Sequence, residues 1–183
     1  MKSFDSALLK KEDCALLVID VQEKLVRVID DVKRSIENIV RLIRFSRIVD
    51  IPVVLSEQQN LGDTVKEIRD EMKPFQPISK ITFSCFASDE FCKSLQYINK
   101  KALLVTGIEA HICVAQTAMD GMKEYDVHVV SDAVTSRSVD DKEVALDRLR
   151  QNGVTVTTTE MLMYELLVKA GTSEFRKALK LLK

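Results

Sequence analysis

The sequence predicts an α/β protein: a three-layer α/β/α domain with a mainly parallel, doubly wound (Rossmann-like) sheet of about six strands. Three observations predict it. Short runs that are apolar at every residue, such as 14–19 and 102–105, suit strands covered by helices on both faces. Segments with apolar residues at helical spacing alternate with those runs from end to end. The 183 residues contain no internal repeat, linker or low-complexity tract, so the expectation is one domain over 1–183, long enough to bury a full core.

After a polar N-terminal arm, Cys-Ala-Leu-Leu-Val-Ile at 14–19 forms the first strand and ends at Asp20. Residues 31–50 carry Val32, Ile36, Ile39, Val40, Ile43 and Ile48 at a helical period. Pro52 then opens a short strand over 53–55. The stretch 56–77 is polar and irregular apart from a helical turn around 65–72. It is too long for a mere connector and is expected to cover something. A weak strand at 78–81 contains Lys80. A helix over 88–98 enters through Ser88 or Asp89 and turns Phe91, Leu95 and Ile98 inward. A strand at 102–105, a helix at 112–124, a strand at 127–130 and a helix at 140–151 follow. Asn152-Gly153 ends that last helix. Residues 154–156 make the final strand, and helices at 159–169 and 173–182 close the chain.

Composition excludes several function classes. The chain is 46% hydrophobic and 30% charged with a formal net charge of −1, so it offers no electrostatic footprint for nucleic acid or an anionic membrane. No apolar run approaches the roughly 20 residues that span a bilayer. The opening MKSFDSALLKKEDC carries acids and lacks a long apolar stretch, so no secretory leader is expected. Cys14, Cys85, Cys92 and Cys113 show no C-x-x-C spacing and read as reduced thiols of a cytoplasmic protein.

The chemistry is expected at one rim. In open α/β sheets, ligands bind beyond the carboxyl ends of the strands. Asp20 follows the first strand, Lys80 lies at or near the end of the weak third one, and Cys113 sits just past the strand at 102–105. The stretch 101–121, KALLVTGIEAHICVAQTAMDG, reads as strand, tight turn at Gly107 and helix, with Cys113 in the helix's first turn. A thiol at a helix N-terminus tends to ionise, with pKa values of roughly 3.5–7.5 in such sites. Singly, each residue has a plainer role: Asp20 as a turn cap, Lys80 as a solvated lysine, Cys113 as a small packing residue. Together they make a nucleophile, a carboxylate to take its proton, and an ammonium to hold the charges.

Asp20 within Leu-Leu-Val-Ile-Asp-Val-Gln22, Lys80 within Lys-Ile-Thr-Phe-Ser-Cys85, and Gly107-Ile-Glu-Ala-His-Ile-Cys113-Val114 resemble the isochorismatase-like cysteine hydrolases, a superfamily that includes nicotinamidases. The resemblance runs from about residue 13 to 165. It implies the isochorismatase-like hydrolase fold and an Asp20–Lys80–Cys113 triad. It also implies a non-proline cis peptide at Ile108–Glu109, with the backbone N–H groups of Glu109 and Cys113 as an oxyanion hole. The implied reaction is metal-independent cleavage of a C–N bond in a small carboxamide or carbamoyl compound through a thioester, without a cofactor. Nicotinamidases carry an Asp/His metal cluster after the second strand, whereas this region reads Leu55-Ser-Glu-Gln-Gln-Asn60, and the chain has only His111 and His128. The siderophore-pathway isochorismatases lack the cysteine nucleophile. Ser56-Glu57-Gln58 followed by Leu61-Gly62-x-Thr64 is similar instead to the subgroup of isochorismatase-domain proteins. There the 56–64 loop walls the pocket, with Gln22, Glu57, Gln58, Phe83 and His111 as pocket candidates.

A Cys113–His111 dyad is the obvious rival, but side chains two apart in a turn entering a helix generally diverge. His128 reads as a packed histidine, and Asp132 and Arg137 as structural hydrogen-bonding residues or a subunit contact. Two other function classes stay open: a thiol redox protein with Cys85 or Cys92 as resolving thiol, and a non-catalytic member acting through partner contacts. A homo-oligomer, dimer or larger, is implied by the resemblance; the apolar C-terminal helix with Leu179, Leu181 and Leu182 either serves its interface or packs on the sheet.

Overall fold

The computed structural model describes residues 8–30 and 32–182. Strands β1 (Cys14–Ile19), β2 (Val53–Gln58), β3 (Ile78–Lys80), β4 (Ala102–Ile108), β5 (Asp126–Thr135) and β6 (Thr155–Thr157) form one sheet in the order β3-β2-β1-β4-β5-β6. All five pairings are parallel. The helices are α1 (Glu23–Val26), α2 (Val32–Ile48), α3 (Lys66–Glu71), α4 (Asp89–Ile98), α5 (Ala115–Gly121), α6 (Val139–Gln151), α7 (Thr159–Leu167) and α8 (Ser173–Leu182).

Every residue of β1 is at most 1% exposed, as its uninterrupted apolar sequence requires. Its side chains alternate between two cores. Leu16 and Val18 pack with residues of α2, α3, α7 and α8, while Ala15, Leu17 and Ile19 pack with residues of α4, α5 and α6. The sheet is therefore doubly wound, and its strand order reverses between β1 and β4. Ligands of such sheets bind at that crevice, beyond the strand ends. Asp20 leaves β1 there, and Cys113 follows β4 there.

Several elements differ from the sequence reading: β2 runs to Gln58 and β4 to Ile108, each three residues further than expected, and α1 was not expected. The helix expected at 112–124 begins instead as a wide π-type turn over Ala110–Val114 before α5. β5 runs past 130 because its register against β4 shifts: Val105 faces Val129, yet Gly107 faces Val134. The inserted residues serve structure, since Asp132 accepts from Asn38 Nδ2 through its carbonyl at 2.8 Å and from Thr159 N and Oγ1 through Oδ1 at 2.8 Å each. Last, the loop after β2 is pinned. Gln22 forms a bridge to Thr64, and the N–H groups of Glu23, Lys24 and Val65 donate to Asp63, Leu61 and Val21 carbonyls.

Candidate active site

Asp20 takes the left-handed backbone region (φ 52°), which Asp tolerates better than most side chains. Its carboxylate is fully buried, and each oxygen has a donor. Ser56 Oγ on β2 donates to Oδ1 at 2.7 Å, and Lys80 Nζ at the end of β3 donates to Oδ2 at 2.6 Å. Lys80 is itself only 3% exposed. Its ammonium also donates to Gln58 Oε1 at 2.8 Å and to the Thr82 carbonyl at 3.1 Å. A buried ion pair tolerates its desolvation only when further hydrogen bonds satisfy the remaining groups, as they do here.

Cys113 lies in the π-type turn, 6% exposed. Burial, then the neighbouring Asp20 charge, push its thiol up to about 12, while Lys80 pulls the other way; a hydrogen bond to Asp20 adds to the rise. This corrects the expectation of an ionised thiol at a helix N-terminus. Burial and the adjacent carboxylate both favour the protonated thiol, and Lys80 only partly opposes them. Cys85 lies beneath: its Sγ donates to Ser56 Oγ at 3.7 Å, its N–H donates to Thr117 Oγ1 at 3.0 Å, and burial raises its thiol too.

The strand-to-turn joint fixes where Cys113 sits. Gly107 has φ +121°, and a Cβ there would stand 2.1 Å from the Ile19 carbonyl oxygen on β1. Only glycine lets β4 pass so close to the strand carrying Asp20. The next peptide, Ile108–Glu109, is cis. Glu109 is 3% exposed, and its Oε1 accepts from the Arg137 N–H at 3.3 Å with Arg137 Nε 3.4 Å away. His111 turns to this side: Nδ1 lies 2.9 Å from Ser136 Oγ, and Nε2 lies 3.8 Å from both Glu109 and Asp141 carboxylates. Nδ1 is thus engaged by Ser136, and no hydrogen bond joins His111 to Cys113 among the described residues.

The remaining pocket candidates separate. Gln22 is 1% exposed, and its amide is spent on backbone: Nε2 donates to the Gln58 and Gly62 carbonyls, and Oε1 accepts from Gln58 N. Glu57 Oε1 accepts from Thr64 N and Oγ1. Both residues thus hold the 58–64 loop in place. Gln58 faces Lys80. Phe83 stands at the rim, 55% exposed, near Ile81 at 72%. Sequence reading gave Ser56 no separate role; a lone hydroxyl at the end of an apolar strand was its only signal. Among the described residues no group of three or more His, Cys, Asp or Glu could hold a metal ion.

Residues 14–161 match the family model described as the isochorismatase domain. The chain belongs to the isochorismatase family. It is 36% identical over 177 residues to isochorismatase domain-containing protein 2 of Danio rerio, covering 95% of this chain and 89% of that protein. The secreted isochorismatase effector Isc1 of Phytophthora sojae is 34% identical over 175 residues, covering 92% and 83%. Among solved structures, MAR1 ribonuclease from Caenorhabditis elegans superposes with a TM-score of 0.88 at 34% identity, covering 96% of this chain and 92% of that one. Membership of the isochorismatase family supports a hydrolase-type function. No helix among the described residues is long and apolar enough to cross a membrane.

Proposed function

We propose that this isochorismatase-family protein is a metal-independent cysteine hydrolase that cleaves a C–N bond of a small carboxamide or carbamoyl compound. The observation that carries the reading is the buried 2.6 Å Asp20–Lys80 pair, whose two charges both act on the Cys113 thiol. Such a pair is costly to bury and is put to use when a proton must move beside it. Asp20 takes the Cys113 proton, and the sulfur forms a bond to the substrate carbonyl carbon. The resulting oxyanion is held by the N–H groups of Glu109 and Cys113. The C–N bond breaks, and the amine or ammonia leaves with the proton returned by Asp20. Water then gives a proton to Asp20 and attacks the thioester, releasing the acid and restoring the thiol. Lys80 supplies fixed positive charge throughout.

Intact-mass measurement after rapid mixing with a turned-over amide tests this directly. An acyl adduct on Cys113 that decays with product formation is expected; turnover with no adduct, and unchanged turnover in Cys113→Ala, contradicts it. The name of the Caenorhabditis elegans relative makes RNA cleavage the second reading. A net charge of −1 supplies no excess positive charge for a phosphate backbone, which counts against it. Assembly as a homo-oligomer belongs to the leading reading, with exposed Ile81 and Phe83 at the site's rim as interface candidates. Analytical ultracentrifugation gives the copy number.

A further inference from the structure

We infer that Gln58 is a positioning residue that fixes the Lys80 ammonium, and that Lys80 consequently makes no hydrogen bond to substrate. The inference rests on the hydrolase reading above, and its test is chosen so that the two can fail separately. An ammonium has three N–H donors. In this site all three have acceptors: Asp20 Oδ2 at 2.6 Å, Gln58 Oε1 at 2.8 Å and the Thr82 carbonyl at 3.1 Å. None remains for a bound amide.

The Gln58 amide cannot simply turn over. Its Nε2 donates to the Ile81 carbonyl at 2.8 Å, so Oε1 is the atom left facing Lys80. The backbone of the same residue is clamped as well. Gln22 Oε1 accepts from Gln58 N at 2.8 Å, and Gln22 Nε2 donates to the Gln58 carbonyl at 2.9 Å. The Gln59 N–H donates to the Lys80 carbonyl at 2.9 Å, tying the two strand ends together. Gln22, Gln58 and Lys80 thus form one rigid frame around a positive charge. A lysine on a flexible stem would otherwise be free to swing toward an incoming carbonyl. Held this way, it stabilises the Asp20 carboxylate and the Cys113 thiolate and transfers no proton. The leaving group's proton must then come from Asp20.

Gln58→Met tests the assignment, since it keeps the side-chain volume and removes both hydrogen bonds. Two readouts are taken: amide turnover, and the rate of Cys113 alkylation by iodoacetamide against pH, followed on the Cys113 peptide by mass spectrometry. A slack ammonium stabilises the thiolate less. Alkylation of the variant below its midpoint is expected to fall about 10-fold, which is about one pH unit. The kcat is expected to fall by up to about 100-fold with KM within about two-fold. A raised KM with an unchanged alkylation profile makes Gln58 a substrate contact and overturns the inference. A lowered melting temperature with both kinetic readouts unchanged makes it packing only and also overturns it. If no amide is turned over, the hydrolase reading fails while the alkylation profile still decides the role of Gln58. Should Gln58→Met not fold, the wild-type protein carries the test through the 15N signal of its Lys80 ammonium, assigned by its loss in Lys80→Met. Protons protected from solvent exchange uphold the frame, and rapidly exchanging ones overturn it.

Discussion

At the scale of single residues, the site is a balance of buried charges, and each change has a definite sign. Lys80→Met leaves the Asp20 carboxylate buried without its partner, at a cost of about 3–5 kcal/mol. Asp20→Asn in the same chain is expected to recover part of that loss, because no lone charge then remains. Thermal melts of the two single variants and the double variant check this. Ser56→Ala removes the 2.7 Å donor to Asp20 Oδ1 and is expected to cost roughly 1–3 kcal/mol. Asp20, Lys80 and Cys113 could be read from the sequence as a group because each follows a strand. Their electrostatic state could not. The thiol's rise to about 12 depends on burial and on the distance to Asp20, neither of which spacing encodes.

At the scale of elements, the joint between β4 and the π-type turn decides the geometry. Gly107→Ala would drive a Cβ into the Ile19 backbone at a positive φ, so β1 and β4 must part. The variant is expected to lose Cys113 reactivity together with much of its melting temperature; a fully active, equally stable Gly107→Ala would contradict the account. Most strands were legible because their apolar runs are flanked by helical-period segments; β3, Ile-Ser-Lys after an irregular stretch, gave only a weak signal. The wide turn at Ala110–Val114 was not, since its sequence has the same apolar spacing as an ordinary helix start. The length of β5 was likewise hidden, because residues 131–135 mix polar and apolar side chains where the register shifts. The polar 56–77 stretch gave no sign that its first residues extend β2 or that Gln22 staples the loop beyond them. Side-chain-to-backbone bonds across 36 residues leave no local pattern.

At the scale of the whole molecule, the two cores share β1, so the central strand should dominate stability. Leu17, fully buried in the core with α4, α5 and α6, is expected to cost about 2–5 kcal/mol when truncated to Ala, measured by denaturant unfolding. Alkaline pH acts on both faces at once. Cys14 and Cys113 are each raised from 9.0 to about 12 by burial. Above pH 9 the unfolded chain releases those two protons while the folded chain keeps them, so folding stability falls as pH rises from about 9 to 12. Melting curves of wild type against Cys14→Ala/Cys113→Ala check the sign, with a flatter pH dependence expected for the variant.

The central claim is that Cys113, with Asp20 and Lys80, is a hydrolytic nucleophile. Ammonia release from a panel of small amides, ureides and carbamates, with Cys113→Ala in parallel, measures it most directly. The account predicts release from at least one of these compounds and none from the variant. No release from any compound on the panel, or release that Cys113→Ala leaves unchanged, would contradict it.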